Sequence, residues 1–284
     1  MKKKHILITL ISLIVVALAC VGVFYGIKNS QVKKDNQESD ITIGTPTLFF
    51  HGYGSSYKAE EHMTNAAKKA GVTNSIIRAD VASDNKVTLI GSIPAKTKNP
   101  IVEVNLQDSS NGSSKNVLAV VRALMKKYKF KKINFVGHSY GNLMIANYIN
   151  ENYDNKKLPE INKVVSIAGH YNGWLGEQVG RSGKIIDKAT GKPNEFAPGF
   201  KQLLSLRQHY PRQVEVLNIY GNKEDGSNGD GSVSVASAQT YRYLINGRAK
   251  SYREVEIKGA KAQHSKLHEN SQVDKLIIKF LWNK

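Results

Sequence analysis

From residue 45 onward the chain alternates between short apolar runs and longer stretches where apolar residues recur every three or four positions. Thr45-Pro46-Thr47-Leu48-Phe49-Phe50 predicts a strand ending at His51-Gly52-Tyr53-Gly54, and residues 58–70 a helix. Residues 75–82 and 86–93 read as paired strands around Ser83-Asp84-Asn85, and 101–106 as another strand. Ser113 opens a long helix with Val117, Val120, Val121, Leu124 and Met125 on one face. Residues 133–136 predict a strand and 142–153 a helix. Strands at 163–168, 215–220 and 254–258, with helices at 233–245 and 273–282, continue the rhythm. Strands alternating with helices imply an α/β fold, a mostly parallel central sheet with helices on both faces.

Two segments break this rhythm. Residues 170–211 are rich in Gly, Lys and Asn, with scattered Trp174, Leu175, Phe196, Phe200, Leu203 and Leu204. A stretch that long between two strands is usually more than a connector. We read it as a cap, the plainer alternative being a crossover helix at 200–208 behind a surface loop. At the N-terminus, residues 6–27 are almost wholly apolar behind Lys2, Lys3 and Lys4. That run is long enough to span a bilayer and longer than an ordinary signal-peptide core. The preceding lysines favour export of the rest of the chain. The expectation is a signal anchor over residues 1–27, a polar tether over 28–41 and a folded domain over 42–284, on the outer face of the cell membrane. A cleaved signal peptide, or lipid attachment at Cys20 in Ala17-Leu18-Ala19-Cys20, are the alternatives.

Composition adds two bounds. Cys20 is the single cysteine, so neither an intramolecular disulfide nor a cysteine metal site is available. The formal charge is +18, and residues 1–40 hold six lysines against three carboxylates, so +15 belongs to the remainder. A basic surface attracts polyanions. On an exported protein these are anionic lipid headgroups or acidic wall polymers rather than nucleic acid.

Gly137-His138-Ser139-Tyr140-Gly141 fits G-x-S-x-G between a predicted strand and helix, the context that exposes a nucleophilic serine on a tight turn. A serine hydroxyl needs a base within hydrogen-bond reach, and the base an orienting acid. The loop 221–233 offers Asp230, which runs straight into the next helix, with Asp225 as the second candidate. After the last strand comes His264, with His268 four residues on. Backbone amides at Tyr140 and Tyr53 are the candidate oxyanion donors. His138 reads as a packed or hydrogen-bonded residue beneath the turn. His62 and His209 carry no motif.

The segments 49–54, 136–141, 230–233 and 263–270 together resemble the α/β-hydrolase superfamily. The combination looks most like the cell-surface hydrolases of low-GC Gram-positive bacteria, a family of unknown function, and the resemblance spans roughly residues 42–284. It implies an α/β-hydrolase fold with a cap insertion and a serine hydrolase acting on carboxylic esters, esterase- or lipase-like, without metal or organic cofactor. The substrate class is a small-molecule or lipid-like ester. The basic, weakly apolar cap departs from the greasier lids of true lipases, which speaks against long-chain triglycerides. A hydrolase fold kept as a non-catalytic module binding anionic wall or membrane polymers is the competing reading.

Overall fold

The computed structural model describes residues 41–245 and 247–284; the anchor and most of the tether expected at the N-terminus lie outside them. Eight strands form one sheet: β1 (Thr47–Phe50), β2 (Ile76–Val81), β3 (Val87–Ile90), β4 (Ile101–Leu106), β5 (Lys132–His138), β6 (Glu160–Ile167), β9 (Glu215–Asn222) and β10 (Ser251–Lys258). Their order across the sheet is β10-β9-β6-β5-β1-β4-β2-β3. All neighbours are parallel except the edge pair β2–β3. The central strands are buried on both faces, so they read as near-continuous apolar runs such as Thr47-Leu48-Phe49-Phe50.

Helices cover both faces. On one side α2 (Ser114–Lys127) and α3 (Tyr140–Glu151) pack on Leu48, Phe50, Val104 and Phe135. Ser113 N–H donates to Asn116 Oδ1 at 2.6 Å and fixes the start of α2. On the other side α1 (Glu61–Lys69) and α9 (Ser271–Trp282) cover Phe49, Val136, Val165 and Leu217. Asn270 caps α9 by accepting from Gln272 N–H at 2.8 Å. From residue 41 onward the described chain forms one compact unit with both cores enclosed, so this part is equipped to fold alone.

Several expected elements are altered by tertiary contacts. The helix expected at 58–70 is interrupted: a short 3-10 turn, Tyr57–Ala59, precedes α1, with Glu60 fully buried between them. The helix expected at 233–245 is two, α7 (Val235–Gln239) and α8 (Tyr241–Ile245). Its first residues are held elsewhere, because Val233 N–H donates to Asp230. The break at Thr240, whose hydroxyl donates to Ser237 O, lets Tyr241 stack on Tyr171 at 4.1 Å.

Residues 170–211 fold into α4 (Gln178–Ser182), the antiparallel pair β7 (Ile185–Asp187) and β8 (Lys192–Pro193), α5 (Pro198–Leu203) and α6 (Leu206–His209). The single crossover helix at 200–208 is not formed. Asn172 stitches this segment together: its amide donates to Glu195 O at 2.9 Å and accepts from Ala197 N–H at 2.9 Å. Ser237 Oγ–H donates to Gly173 O, and Ser234 Oγ–H to Gly180 O, tying it to α7. Among the described residues no helix is long and apolar enough to cross a membrane.

Candidate active site

Five loops leave the carboxyl ends of β1, β5, β6, β9 and β10, and carry Tyr53, Ser139, His170, Asp230 and His264 respectively. The crevice beyond the carboxyl ends of parallel strands is where open α/β sheets bind ligands.

Ser139 sits between β5 and α3 at φ 52°, ψ −120°, a left-handed conformation costly for a residue with a Cβ. Its surroundings hold it there. Ser139 N–H donates to Ile167 O at 2.9 Å, and Asn142 N–H to Ser139 O at 3.1 Å. The flanking glycines are sterically required. A Cβ on Gly141 would lie 2.3 Å from Phe50 O, and one on Gly137 2.6 Å from Asn142 Oδ1. The sharp turn lifts the serine hydroxyl into the crevice.

His264 begins a 3-10 turn, His264–Glu269, after β10. Its Nε2 lies 2.9 Å from Ser139 Oγ, and its Nδ1 2.8 Å from Asp230 Oδ2. A carboxylate only accepts, so Nδ1–H donates to Asp230 and Nε2 is left to accept from the serine. Asp230 is 1% exposed, and its other oxygen accepts from Ser232 N–H at 2.9 Å and Val233 N–H at 2.7 Å. His264 N–H donates to Asp230 O at 2.9 Å, which locks the two loops to each other.

The other candidates are engaged elsewhere. Asp225 is exposed and pairs with Lys223 at 2.6 Å and with Ser227. His62 pairs with Asp274 at 3.2 Å, and His209 stacks on Tyr153 at 3.8 Å. His268 sits edge-on to the His138 ring at 4.9 Å. His138 lies under the turn, its ring 4.9 Å from that of His264. Burial, reinforced by neighbouring His264 and His268, holds its pKa well below the ordinary histidine value. Its Nε2–H donates to His264 O at 3.1 Å, so this neutral ring props the loop carrying His264. Among the described residues no group of three or more His, Cys, Asp or Glu side chains is arranged to hold a metal ion.

Ser139 and His264 open into a cavity of about 750 Å³, which Tyr53 and Tyr140 also line. Tyr140 is the first residue of α3, where backbone amides have no partner within the helix. The remaining wall includes Leu143, His170, Tyr171, Ala197 and Pro198, which the sequence did not single out, and Trp174, one of the scattered apolar residues of the segment 170–211. His170 is the most telling. Its ring lies over Tyr140 at 6.2 Å, its Nδ1 is buried without a partner, and burial pushes its pKa down to about 4. The clue available in the sequence was its place two residues beyond a predicted strand end. Trp174 and Tyr53 are 51% and 67% exposed at the cavity mouth.

Solved structures share this architecture. The lin2722 product of Listeria innocua is 23% identical, with a TM-score of 0.78, over 85% of this chain and 95% of that one. A Lactobacillus plantarum WCFS1 protein named as a cell surface hydrolase is 22% identical, with a TM-score of 0.69, over 85% and 92%. At these identities the likeness shows the fold alone. Carboxylesterase CesB from Bacillus subtilis, at 12% identity and a TM-score of 0.46 over 92% and 98%, is too distant to carry an argument. Comparison with curated proteins finds no match. The family model for alpha/beta hydrolases of unknown function (DUF915) matches residues 34–284, which takes in the whole sheet and all five loops. The chain is therefore a member of that α/β-hydrolase family.

Proposed function

We propose that the protein is a serine hydrolase of carboxylic esters, held by its N-terminal segment on the outer face of the cell membrane. The observation that carries the catalytic part is the hydrogen-bonded chain Ser139–His264–Asp230 opening into a cavity. Ser139 Oγ attacks the acyl carbon of the bound ester while His264 Nε2 takes its proton. The carbonyl π electrons move onto oxygen, and the amides of Tyr53 and Tyr140 hold that oxyanion. The intermediate collapses, the C–O bond to the alcohol breaks, and His264 returns the proton to the leaving oxygen. Water activated by His264 then releases the acid and regenerates Ser139. Asp230 keeps Nδ1 protonated and stabilises the imidazolium formed at each step. Every step is met by side chains and amides of this chain, so none calls for a metal or an organic cofactor.

The segment 170–211 acts as the cap that shapes the substrate side, since Ala197 and Pro198 reach the cavity wall. Its lining joins Leu143, Tyr171, Trp174, Pro198 and Val233 to the polar His170 and Glu177, an apolar wall for an acyl chain with a few polar groups. The membrane part of the proposal rests on Lys2, Lys3 and Lys4 followed by the apolar run 6–27.

The test is p-nitrophenyl ester hydrolysis over a range of acyl lengths by residues 41–284, beside Ser139→Ala. The variant is expected to lose turnover by about 10⁴-fold or more with its thermal midpoint little changed. A folded wild-type protein that cleaves no ester and resists a fluorophosphonate serine probe would sink the proposal in favour of the non-catalytic polymer-binding module.

A further inference from the structure

The positive charge of this domain is not spread evenly over its two ends. At the carboxyl ends of the strands, two of the cations beside the cavity loops pair with acids: Lys223 with Asp225 at 2.6 Å, and Lys258 with Glu224 at 3.5 Å and Glu256 at 3.9 Å. The amino ends are richer in cations. The connection into β5, residues 126–132, reads Lys-Lys-Tyr-Lys-Phe-Lys-Lys, five lysines in seven positions without an acid. Helices α1 and α2 run back towards this end and finish on Lys68-Lys69 and Lys126-Lys127. Lysines at helix C-termini have a local reason, because they complement the helix dipole. That reason does not extend to the connections, which add exposed Lys156 and Lys157 before β6, Arg212 before β9 and Lys250 before β10. Opposing them are Asp154, Glu160, which pairs with Lys132 at 3.9 Å, and Glu215, which pairs with Lys250 at 2.6 Å.

The same end has a cavity of its own, about 510 Å³ in volume. The stacked rings of Tyr153 and His209, 3.8 Å apart, contribute to its wall. Lys156, Arg212 and Arg248 bring three cations to it, and Glu160 is the only carboxylate among its lining residues. Arg248 is steadied by its Nε–H, which donates to Tyr210 O at 3.2 Å. The described chain also begins here: Lys129 N–H donates to Ile41 O at 2.9 Å, and Thr42 forms a bridge with Lys129. In the sequence, thirteen residues separate Ile41 from the end of the run long enough to span a bilayer.

We propose that this strand-amino-end face docks on an anionic phospholipid bilayer, and that the cavity between Lys156, Arg212 and Arg248 takes a phosphate-bearing headgroup. Dispersed lysines at the rim supply sequence-independent attraction to the negative surface, and the cavity supplies a localised contact. The catalytic crevice then points away from the bilayer, with Tyr53 and Trp174 at its mouth, so the substrate is met on the outer side rather than extracted from the membrane beneath. The choice of a bilayer over a soluble wall polymer rests on the membrane-tether reading of residues 6–27. The hydrolytic reading is not needed, and the test separates the two.

The test is co-sedimentation of residues 41–284, which lack the apolar run, with vesicles of phosphatidylcholine alone or with about 30% phosphatidylglycerol. Binding is expected only to the phosphatidylglycerol vesicles, and it should fade as salt rises from about 0.1 M to about 0.5 M. Lys131→Glu/Lys156→Glu/Arg212→Glu is expected to weaken it about tenfold or more, while Lys58→Glu/Lys261→Glu at the opposite end leaves it within about twofold. Thermal midpoints and p-nitrophenyl ester turnover, measured in parallel, report folding and hydrolysis independently of binding. Three results would each overturn the proposal: no binding to anionic vesicles, equal loss in the two variants, or retention by soluble polyphosphate without vesicle binding. The last would make the face a polymer-binding site.

Discussion

At the residue scale, the site depends on how closely backbones approach around one strained serine. Gly52 illustrates this from the side opposite the flanking glycines. A Cβ there would lie 3.0 Å from Ser139 Cβ and 3.5 Å from its Oγ. No left-handed conformation is demanded of Gly52, so alanine fits the backbone and crowds Ser139. Gly52→Ala is therefore expected to lower kcat by about 10- to 100-fold, since small misplacements of a reacting group are costly, with the thermal midpoint almost unchanged. Steady-state kinetics with a short-chain p-nitrophenyl ester beside a melting curve checks this. Unchanged kcat would mean that the hydroxyl has more room than its neighbours suggest.

At the element scale, the junction between the 3-10 turn Tyr57–Ala59 and α1 carries a buried acid that no periodicity foretells. Glu60 is fully buried, and both its carboxylate oxygens lack partners within the chain. Burial, with Glu103 nearby as a second cause, pushes its pKa from 4.5 up to about 8. The folded state thus prefers the protonated acid. Its contribution to stability is full below pH 4.5 and is lost as pH rises towards about 8, because the unfolded chain ionises first. Glu60→Gln mimics the neutral form. It is expected to match wild type near pH 5 and to be more stable near pH 8.5, by on the order of 3 kcal/mol. Urea unfolding at the two pH values measures the difference. An equal effect of the substitution at both would show that Glu60 ionises freely in the folded protein.

At the scale of the whole molecule, the buried histidines oppose that acid. His51, His138, His170 and His268 all have pKa values lowered mainly by burial, His170 to about 4. A lowered histidine favours folding above its unfolded value of 6.5, and that contribution is lost as pH falls towards the folded value. The stability curve is therefore expected to be a dome, limited on the alkaline side by Glu60 and on the acid side by these rings. His170→Gln removes the contribution of one of these rings and is expected to move the midpoint of acid unfolding to lower pH. Circular dichroism followed from pH 7 to pH 3 reads this directly. A midpoint that stays in place or moves upward would mean that His170 charges in the folded state without cost.

What the sequence determined by itself was local. A strand buried on both faces must be apolar nearly throughout, and a helix on one face must repeat every three to four residues. So the parallel α/β class, most of the strands and the long helices α2, α3 and α9 were legible from pattern. The tight turn at Ser139 was legible because its glycines sit beside it in the chain. What needed the tertiary structure depends on segments far apart in sequence. Asp230 and Asp225 lie five positions apart in one loop, and only the packing of that loop against the 3-10 turn after β10 puts one beside His264 and leaves the other with Lys223. The break at Thr240 follows from the stacking of Tyr241 on Tyr171. The cavity wall of His170, Trp174 and Pro198 assembles from loops whose spacing carries no period. The basic face is likewise invisible as a face in the sequence. Its lysines are dispersed along the chain and gather only because every parallel strand starts at the same end of the sheet.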